Sequence, residues 1–237
     1  MQNNKKRIIT GLILAAIVIC GLVFFEGKLF ALGYTLAAMM VILELATAMV
    51  FTDRVTDPYD GIRTLLLGIV IQLIVFFSMV EVWQLSAKVI ALAIVTACVN
   101  DTSAYFVGRG LGHKFFPGSP FPKVSPKKTW EGIIGGWVIT ACVLALVGML
   151  PIYADLSRRV LNSLIWFGAF FGILGDFLAS FYKRRTHLKD SGEVLLRSKT
   201  VLSQVEKPLA SHGGYLDRLD SISSLIIFIA FLIHITS

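Results

Sequence analysis

The hydrophobic residues of this chain fall into long uninterrupted runs rather than into alternating or striped patterns. A run of about 20 apolar residues is long enough to cross roughly 30 Å of hydrocarbon as a helix. Inside lipid the backbone must satisfy its own hydrogen bonds, so each run predicts a helix rather than a strand. We predict seven spans, at residues 8–25, 29–51, 64–82, 87–108, 132–150, 160–180 and 221–236.

The composition agrees with a membrane protein. Of the 237 residues, 56% are hydrophobic and 16% are charged, whereas a soluble domain carries about a quarter charged residues. We therefore expect an all-α polytopic membrane helical bundle with about seven transmembrane helices. We divide the chain into amino-terminal transmembrane helices, 1–86, and a catalytic transmembrane region, 87–237, with polar loops at 109–131 and 183–220.

The positions of the basic residues predict the orientation. With seven spans and a cytoplasmic amino terminus, most of the 22 lysines and arginines lie on the inner side. Only four lie outside, namely Lys28, Lys88, Arg158 and Arg159. Positive charge concentrates on the cytoplasmic side of membrane proteins and faces anionic lipid there. The net charge of +7 therefore indicates topology and lipid contact rather than nucleic acid as a partner. We expect an integral protein of the inner membrane.

The first polar constellation is the segment 100–105, Asn-Asp-Thr-Ser-Ala-Tyr, within the fourth predicted span. An aspartate such as Asp101 inside an apolar helix costs on the order of 3 kcal/mol, so it requires a partner. One interpretation is a metal ligand, or the partner of a lysine, in a polar cavity. The other is that Asn, Thr and Ser join helices by hydrogen bonds.

The second constellation follows in the polar loop, between Pro122 and Gly132. Its lysines and hydroxyl groups are donors suited to a polyphosphate, and Thr129 is placed to cap the next helix, whose amino terminus favours anions. The alternative is a solvated basic loop attracted to anionic lipid. The donors are Lys123, Ser125, Lys127, Lys128 and Thr129.

The third constellation contains three aspartates on the predicted cytoplasmic side. Asp217 and Asp220 are three residues apart and share one face of a helix, and Asp176 ends another span on the same side. Carboxylates beside lysines and arginines suit Mg²⁺ bound together with substrate phosphates. The alternative is a set of interhelical salt bridges. For His212, a general base, a phosphate donor and a structural role remain open.

In these segments the sequence resembles the phosphatidate cytidylyltransferases, also called CDP-diacylglycerol synthases. The resemblance covers roughly residues 95 to 225 and includes Pro122 to Trp130 and the set Asp101, Ala104 and Tyr105. A longer spacer than in the family, Glu193 to Ser211, separates the two halves of the main motif. Those halves are Ser180, Lys183, Arg184, Lys189, Asp190 and Gly192, then His212, Gly213, Gly214, Asp217, Arg218 and Asp220.

The resemblance implies that CTP and phosphatidate give CDP-diacylglycerol and pyrophosphate. It implies Mg²⁺ at Asp176, Asp217 and Asp220, often with a second cation such as K⁺. The expected catalytic residues are Asp176, Lys183, Arg184, Lys189, Asp190, His212, Asp217, Arg218 and Asp220. The expected substrate-binding residues are Asp101, Tyr105, Lys123, Ser125, Lys127, Lys128, Thr129, Ser180, Gly213 and Gly214.

Two other functions stay open at this point. One is a related CTP-dependent enzyme acting on another membrane lipid, such as an isoprenoid CDP-lipid synthase or a lipid kinase. The other is a transporter, although the ionisable residues crowd one membrane edge rather than the midplane that transporters use. The expected partners are CTP, phosphatidate and anionic lipids, with a homodimer left open.

Overall fold

The computed structural model describes residues 28–50, 58–185 and 216–236. These residues form helices and connecting turns and contain no β-strand, which confirms the all-helical class. A short 3₁₀ turn, Pro151–Tyr153, joins the fourth and fifth helices. The α-helices in the described part are α1 (Lys28–Val50), α2 (Pro58–Glu81), α3 (Ala87–Leu111), α4 (Trp130–Val147), α5 (Arg158–Arg185) and α6 (Leu216–Thr236).

Long apolar helices make this a membrane protein. By length and composition, four helical stretches in the described part can cross a bilayer: Ile62–Glu81, Ala87–Leu111, Trp130–Val147 and Arg158–Arg185. The apolar parts of α1 and α6 are shorter, Lys28–Leu43 and Leu219–Ile235. Each predicted span after the first coincides with one helix. The span at 8–25 lies outside the described residues, so the count of about seven and the cytoplasmic amino terminus stay predictions.

Several helices extend beyond their apolar runs. Helix α5 continues to Arg185 and α6 begins at Leu216, so both ends of the predicted loop 183–220 are helical. Lys183, Arg184 and Asp220 therefore lie on helices. A helix satisfies its backbone hydrogen bonds internally whatever its side chains are, so it can continue past the hydrocarbon into the polar region.

Helix α6 lies in the interior of the bundle. It packs against α1, α2, α3 and α5, and Leu225, Ile226 and Ile229 are almost fully buried. The outer helices instead expose large apolar side chains, such as Phe77 of α2, as expected where lipid surrounds the protein. Helix α6 contacts helices on both sides of residue 86. The proposed division of the chain at that residue stays a prediction.

The bundle has two distinct ends. At the end that we call the polar end, α3 and α5 finish and α4 and α6 begin, and the described charged residues of the predicted constellations lie there. At the opposite end Lys88 forms an ion pair with Asp155, and its ammonium holds the pKa of the Asp155 carboxyl below its usual range. Lys88 and Asp155, near the starts of α3 and α5, thus lie far from the starts of α4 and α6 at the polar end.

Candidate active site

Small residues bring α3 and α4 into close contact at the polar end. A Cβ atom on Gly132 would lie 2.8 Å from the carbonyl oxygen of Ala104, and one on Gly136 would lie 2.9 Å from the Ala104 Cβ. Side chains at these positions would push the helices apart. Close approach through small residues is the usual way in which membrane helices associate, and here it places the start of α4 beside the end of α3.

The start of α4 holds the preceding loop. Thr129 is the N-cap, as predicted: its Oγ1 accepts a hydrogen bond from the backbone N–H of Gly132 at 3.1 Å. Glu131, which is 7% exposed, accepts hydrogen bonds from the backbone N–H groups of Phe115 and Phe116, both at 2.9 Å. One carboxylate thus fastens the beginning of the loop to the helix that follows it.

The same loop is also attached to α5. Arg184 donates a hydrogen bond from Nε to the carbonyl oxygen of Val124 at 3.1 Å. The Phe121 ring packs on Phe177 with centroids 4.7 Å apart. Arg184, one of the expected catalytic residues, therefore holds the loop backbone in this structure, and the loop carries its lysines over α5.

The loop, α3, α4 and α5 together enclose a cavity of about 410 Å³. This volume falls within the range of small-molecule sites. Six of the predicted site residues line it, which means that segments far apart in the sequence meet here. The lining comprises Asn100, Asp101, Ala104, Tyr105, Gly108, Arg109, Lys127, Lys128, Thr129, Gly132, Ile133, Ile173 and Asp176.

Both signs of charge face the cavity. Lys128 forms an ion pair with Asp176, and the two side chains are 30% and 31% exposed. Ser180 donates a hydrogen bond to Asp176 Oδ1 at 3.3 Å. On the facing wall Arg109 donates from Nη1 to the hydroxyl of Tyr105 at 2.9 Å. The Lys128–Asp176 pair is also an interhelical salt bridge of the kind that we considered as the alternative. Its position beside a cavity, with more cations around it, favours a binding site.

Helices α5 and α6 meet one residue away from Asp176. A Cβ atom on Gly175 would lie 2.2 Å from the carbonyl oxygen of Asp220, so the two backbones are in direct contact. The Asp220 carboxylate accepts a hydrogen bond from the backbone N–H of Ser221 at 2.7 Å. Asp217 lies one turn earlier on α6; its side chain and that of Arg218 are outside the described part.

The available donors suit magnesium. Mg²⁺ prefers oxygen ligands and usually takes one or two carboxylates together with phosphate oxygens and waters. Asp176 and Asp220 stand on touching helices at the polar end, and Asp101 lines the same cavity as Asp176. Among the described residues no group of three His, Cys, Asp or Glu side chains is close enough to hold a metal ion. The side chain of Asp217 lies outside the described part, so the three-aspartate site stays a prediction.

The remaining predicted residues either lie away from this cavity or lie outside the described part of the chain. Lys123 and Ser125 lie in the loop away from the cavity lining, and Lys183 lies on α5. Lys189, Asp190, His212, Gly213 and Gly214 lie outside the described residues.

Three residues that the structure makes prominent were not among the predicted site residues, although Asn100 was considered as a residue that joins helices. Asn100 and Arg109 line the cavity, and Glu131 fastens the loop. Each had a visible signal. Asn100 is a polar side chain inside an apolar run, Arg109 is a cation in the last turn of a helix, and Glu131 is an acid in a first turn, where the helix dipole favours it.

Comparison with known proteins agrees with the resemblance seen in the sequence motifs. A sequence model of the cytidylyltransferase family matches residues 1–236. The chain is 32% identical to the phosphatidate cytidylyltransferase of Bacillus subtilis over 204 residues, 84% of this chain and 68% of that protein. It is 30% identical to the Pseudomonas aeruginosa enzyme of that name, over 94% of each chain. For the Rickettsia typhi enzyme the identity is 28%, over 93% of this chain and 88% of that one.

Proposed function

This chain belongs to the cytidylyltransferase family, and on that premise we propose that it transfers a cytidylyl group from CTP to phosphatidate. The products are CDP-diacylglycerol and pyrophosphate. The observation that carries the proposal is the cavity at the polar end, where Lys128 and Asp176 face each other beside further cations. The relatives that share the family bear the name of this activity.

In this reaction a phosphate oxygen of phosphatidate attacks the α-phosphorus of CTP. The bond from that phosphorus to the bridging oxygen of the β-phosphate breaks, and pyrophosphate leaves. Such a transfer requires positioning and neutralisation of charge more than covalent help from the protein. Arg109, Lys127 and Lys128 supply positive charge at one cavity, so they are suited to hold the phosphates of both substrates.

We propose Mg²⁺ as the cofactor, held by Asp176 and Asp220, with Asp217 as the further ligand that the resemblance implies. When bound, the ion would polarise phosphate oxygens as a Lewis acid. Binding of the ion at Asp176 would require this carboxylate to separate from Lys128, whose ammonium would then be available to a phosphate in the cavity. A second cation such as K⁺ stays a prediction.

We also propose that the polar end faces the cytoplasm across the inner membrane. Most basic residues of the described part lie there, among them Arg109, Lys127 and Lys128, whereas Lys88, Arg158 and Arg159 lie at the opposite end. The positive-inside rule then orients the bundle. Exposed cations such as Lys114 and Lys123 support contact with anionic lipids. The homodimer stays a prediction.

The test is an assay of the purified full-length protein with labelled CTP and phosphatidate, with and without a chelator. We expect CDP-diacylglycerol and pyrophosphate in equal amounts, and no product after chelation. Asp176→Asn should lower the rate by about 100-fold or more, because it removes a preorganised charge at the reacting phosphates. Asp155→Asn, which alters an aspartate at the opposite end, should leave the rate unchanged.

The other outcomes distinguish the alternatives. Release of CDP instead of pyrophosphate would identify a CTP-dependent lipid kinase. Turnover with an isoprenoid phosphate but not with phosphatidate would identify a different CDP-lipid synthase. Folded wild-type protein that consumes no CTP with any lipid phosphate would contradict the enzymatic proposal.

A further inference from the structure

The innermost polar group of the cavity is the side-chain amide of Asn100. The residue is 2% exposed and lines the cavity, and its Oδ1 has no hydrogen-bond partner among the residues that the structure describes. A buried acceptor left unpaired lowers the stability of a protein. Since most buried polar groups in proteins are paired, this oxygen requires an explanation.

The surroundings of Asn100 offer space rather than a partner. A Cβ atom on Gly172 of α5 would lie 3.9 Å from Asn100 Nδ2 and 3.6 Å from Leu225 Cδ1 of α6, so a glycine and a leucine are the neighbours of the amide on this side. Nearby lining residues, such as Ala104, Ile133 and Ile173, are apolar. The described neighbours therefore supply the carbonyl oxygen with no donor, and a ligand bound at this end of the cavity is a source of one.

The depth of Asn100 indicates which part of a ligand it meets. Arg109 lies nine residues later on α3, which is about 13 Å nearer the polar end at 1.5 Å per residue. Asp176, the partner of Lys128, lies four residues after Gly172 on α5, which is about 6 Å nearer the polar end. Both cations therefore lie nearer the mouth of the cavity than Asn100 does, and phosphates belong beside them. The floor carries the Asn100 amide next to Asp101, and the oxygens of both side chains suit an N–H or O–H donor.

We propose that Asn100 Oδ1 accepts a hydrogen bond from the nucleoside part of the nucleotide and thereby contributes to nucleotide selection. The proposal rests on the proposed function and adds a specificity residue to it. Two donors share this chemistry, the exocyclic amino group of cytosine and a ribose hydroxyl. Phosphatidate has no equivalent donor, because both remaining glycerol oxygens are esterified.

The experiment compares the purified wild-type protein with Asn100→Leu, a change of similar size that removes the acceptor. The specificity constant kcat/KM is measured for CTP, dCTP and UTP at fixed phosphatidate. We expect the variant to lose about 10-fold or more for CTP, the equivalent of one hydrogen bond to a ligand. A reduced preference for CTP over UTP identifies the amino group, and a reduced preference over dCTP identifies the hydroxyl.

Matched variants separate selection from folding. Thr140→Val removes another buried oxygen, Oγ1, that has no partner in the described part of the chain and does not line the cavity; it should not change the preferences. Asn100→Ser retains an acceptor and should restore part of the preference, and it provides the test if Asn100→Leu fails to fold.

An Asn100→Leu protein that folds but loses activity equally with all three nucleotides would overturn the proposal. A change confined to the KM for phosphatidate would do the same. If the wild-type protein makes no CDP-diacylglycerol, the proposed function fails separately. Binding of labelled CTP in competition with dCTP and UTP then tests Asn100 without turnover, and equal competition in wild type and variant would overturn the inference.

Discussion

Tyr34 places a hydroxyl group at the junction of three helices. Its oxygen lies 2.7 Å from Ser78 Oγ of α2 and 2.8 Å from Ser223 Oγ of α6, and all three residues are buried. Interhelical hydrogen bonds in membrane proteins contribute about 0.6 kcal/mol each on average. Two such bonds at one atom therefore join α1, α2 and α6 at a single point.

We predict that Tyr34→Phe lowers the free energy of unfolding by about 1–2 kcal/mol, because both serines lose a partner in the interior. The measurement is thermal unfolding of the purified protein in one detergent. Tyr153→Phe, a mostly buried tyrosine in the turn before α5, controls for loss of a hydroxyl outside this network. Equal unfolding temperatures for Tyr34→Phe and the wild type would show that these hydrogen bonds do not contribute.

At the scale of the elements, α5 contacts α6 through a residue without a side chain. A Cβ atom on Gly175 would meet the Asp220 carbonyl oxygen at 2.2 Å and Ser224 Oγ at 2.5 Å. Part of this contact is backbone, so the neighbour cannot move away by changing its rotamer. The spacing between the helices that carry Asp176 and Asp220 therefore depends on this glycine.

We predict that Gly175→Ala destabilises the protein by about 1–3 kcal/mol, the usual cost of overpacking, and reduces turnover because the two aspartates separate. Gly33→Ala on α1 is the matched control, since a Cβ atom there has no heavy atom within 4 Å. It should stabilise the protein by about 0.5–1 kcal/mol through helix propensity. Thermal unfolding and the CTP assay give the stability and the turnover of each variant. Identical effects of the two variants would contradict the prediction.

Hydropathy alone was sufficient to predict the helices but not their ends or their neighbours. The run predicted at 160–180 is a helix, yet α5 extends from Arg158 to Arg185, because polar residues continue a helix as readily as apolar ones near a membrane surface. The central position of α6 was also not predictable. All the apolar runs look alike to hydropathy, and only the pattern of small residues at contacts distinguishes an interior helix from a lipid-facing one.

At the scale of the whole molecule, the separation of charge between the two ends predicts a topology that can be measured. In a variant without Cys20, Cys98 and Cys142, single cysteines replace Lys114 at the polar end or Ser157 at the other; both positions are exposed. We expect a membrane-impermeant maleimide to label Ser157→Cys in intact cells. Lys114→Cys should react only after permeabilisation, because positive ends stay in the cytoplasm. The reverse labelling pattern would place the cavity on the outer side of the membrane.

The types of residue in the site were predictable from the sequence, but which residues contact one another was not. Sequence motifs identified Lys128 and Asp176 as separate candidates, and the structure joins them as an ion pair across 48 residues of sequence. It also assigns Arg184 to the loop backbone. Long side chains can reach several partners, and only the packing of α3, α4 and α5 decides which one each meets.

The connection between α3 and α4 is fastened at several points along its length: the Glu131 carboxylate holds Phe115 and Phe116, Ser119 donates to the Ser125 carbonyl oxygen, and Arg184 holds Val124. A segment fixed in this way has already lost most of its conformational freedom during folding. Binding an anion to Lys127 and Lys128 therefore requires little further ordering. Ordering of this loop should therefore not limit nucleotide capture, so diffusion and charge should set how fast its lysines meet the nucleotide.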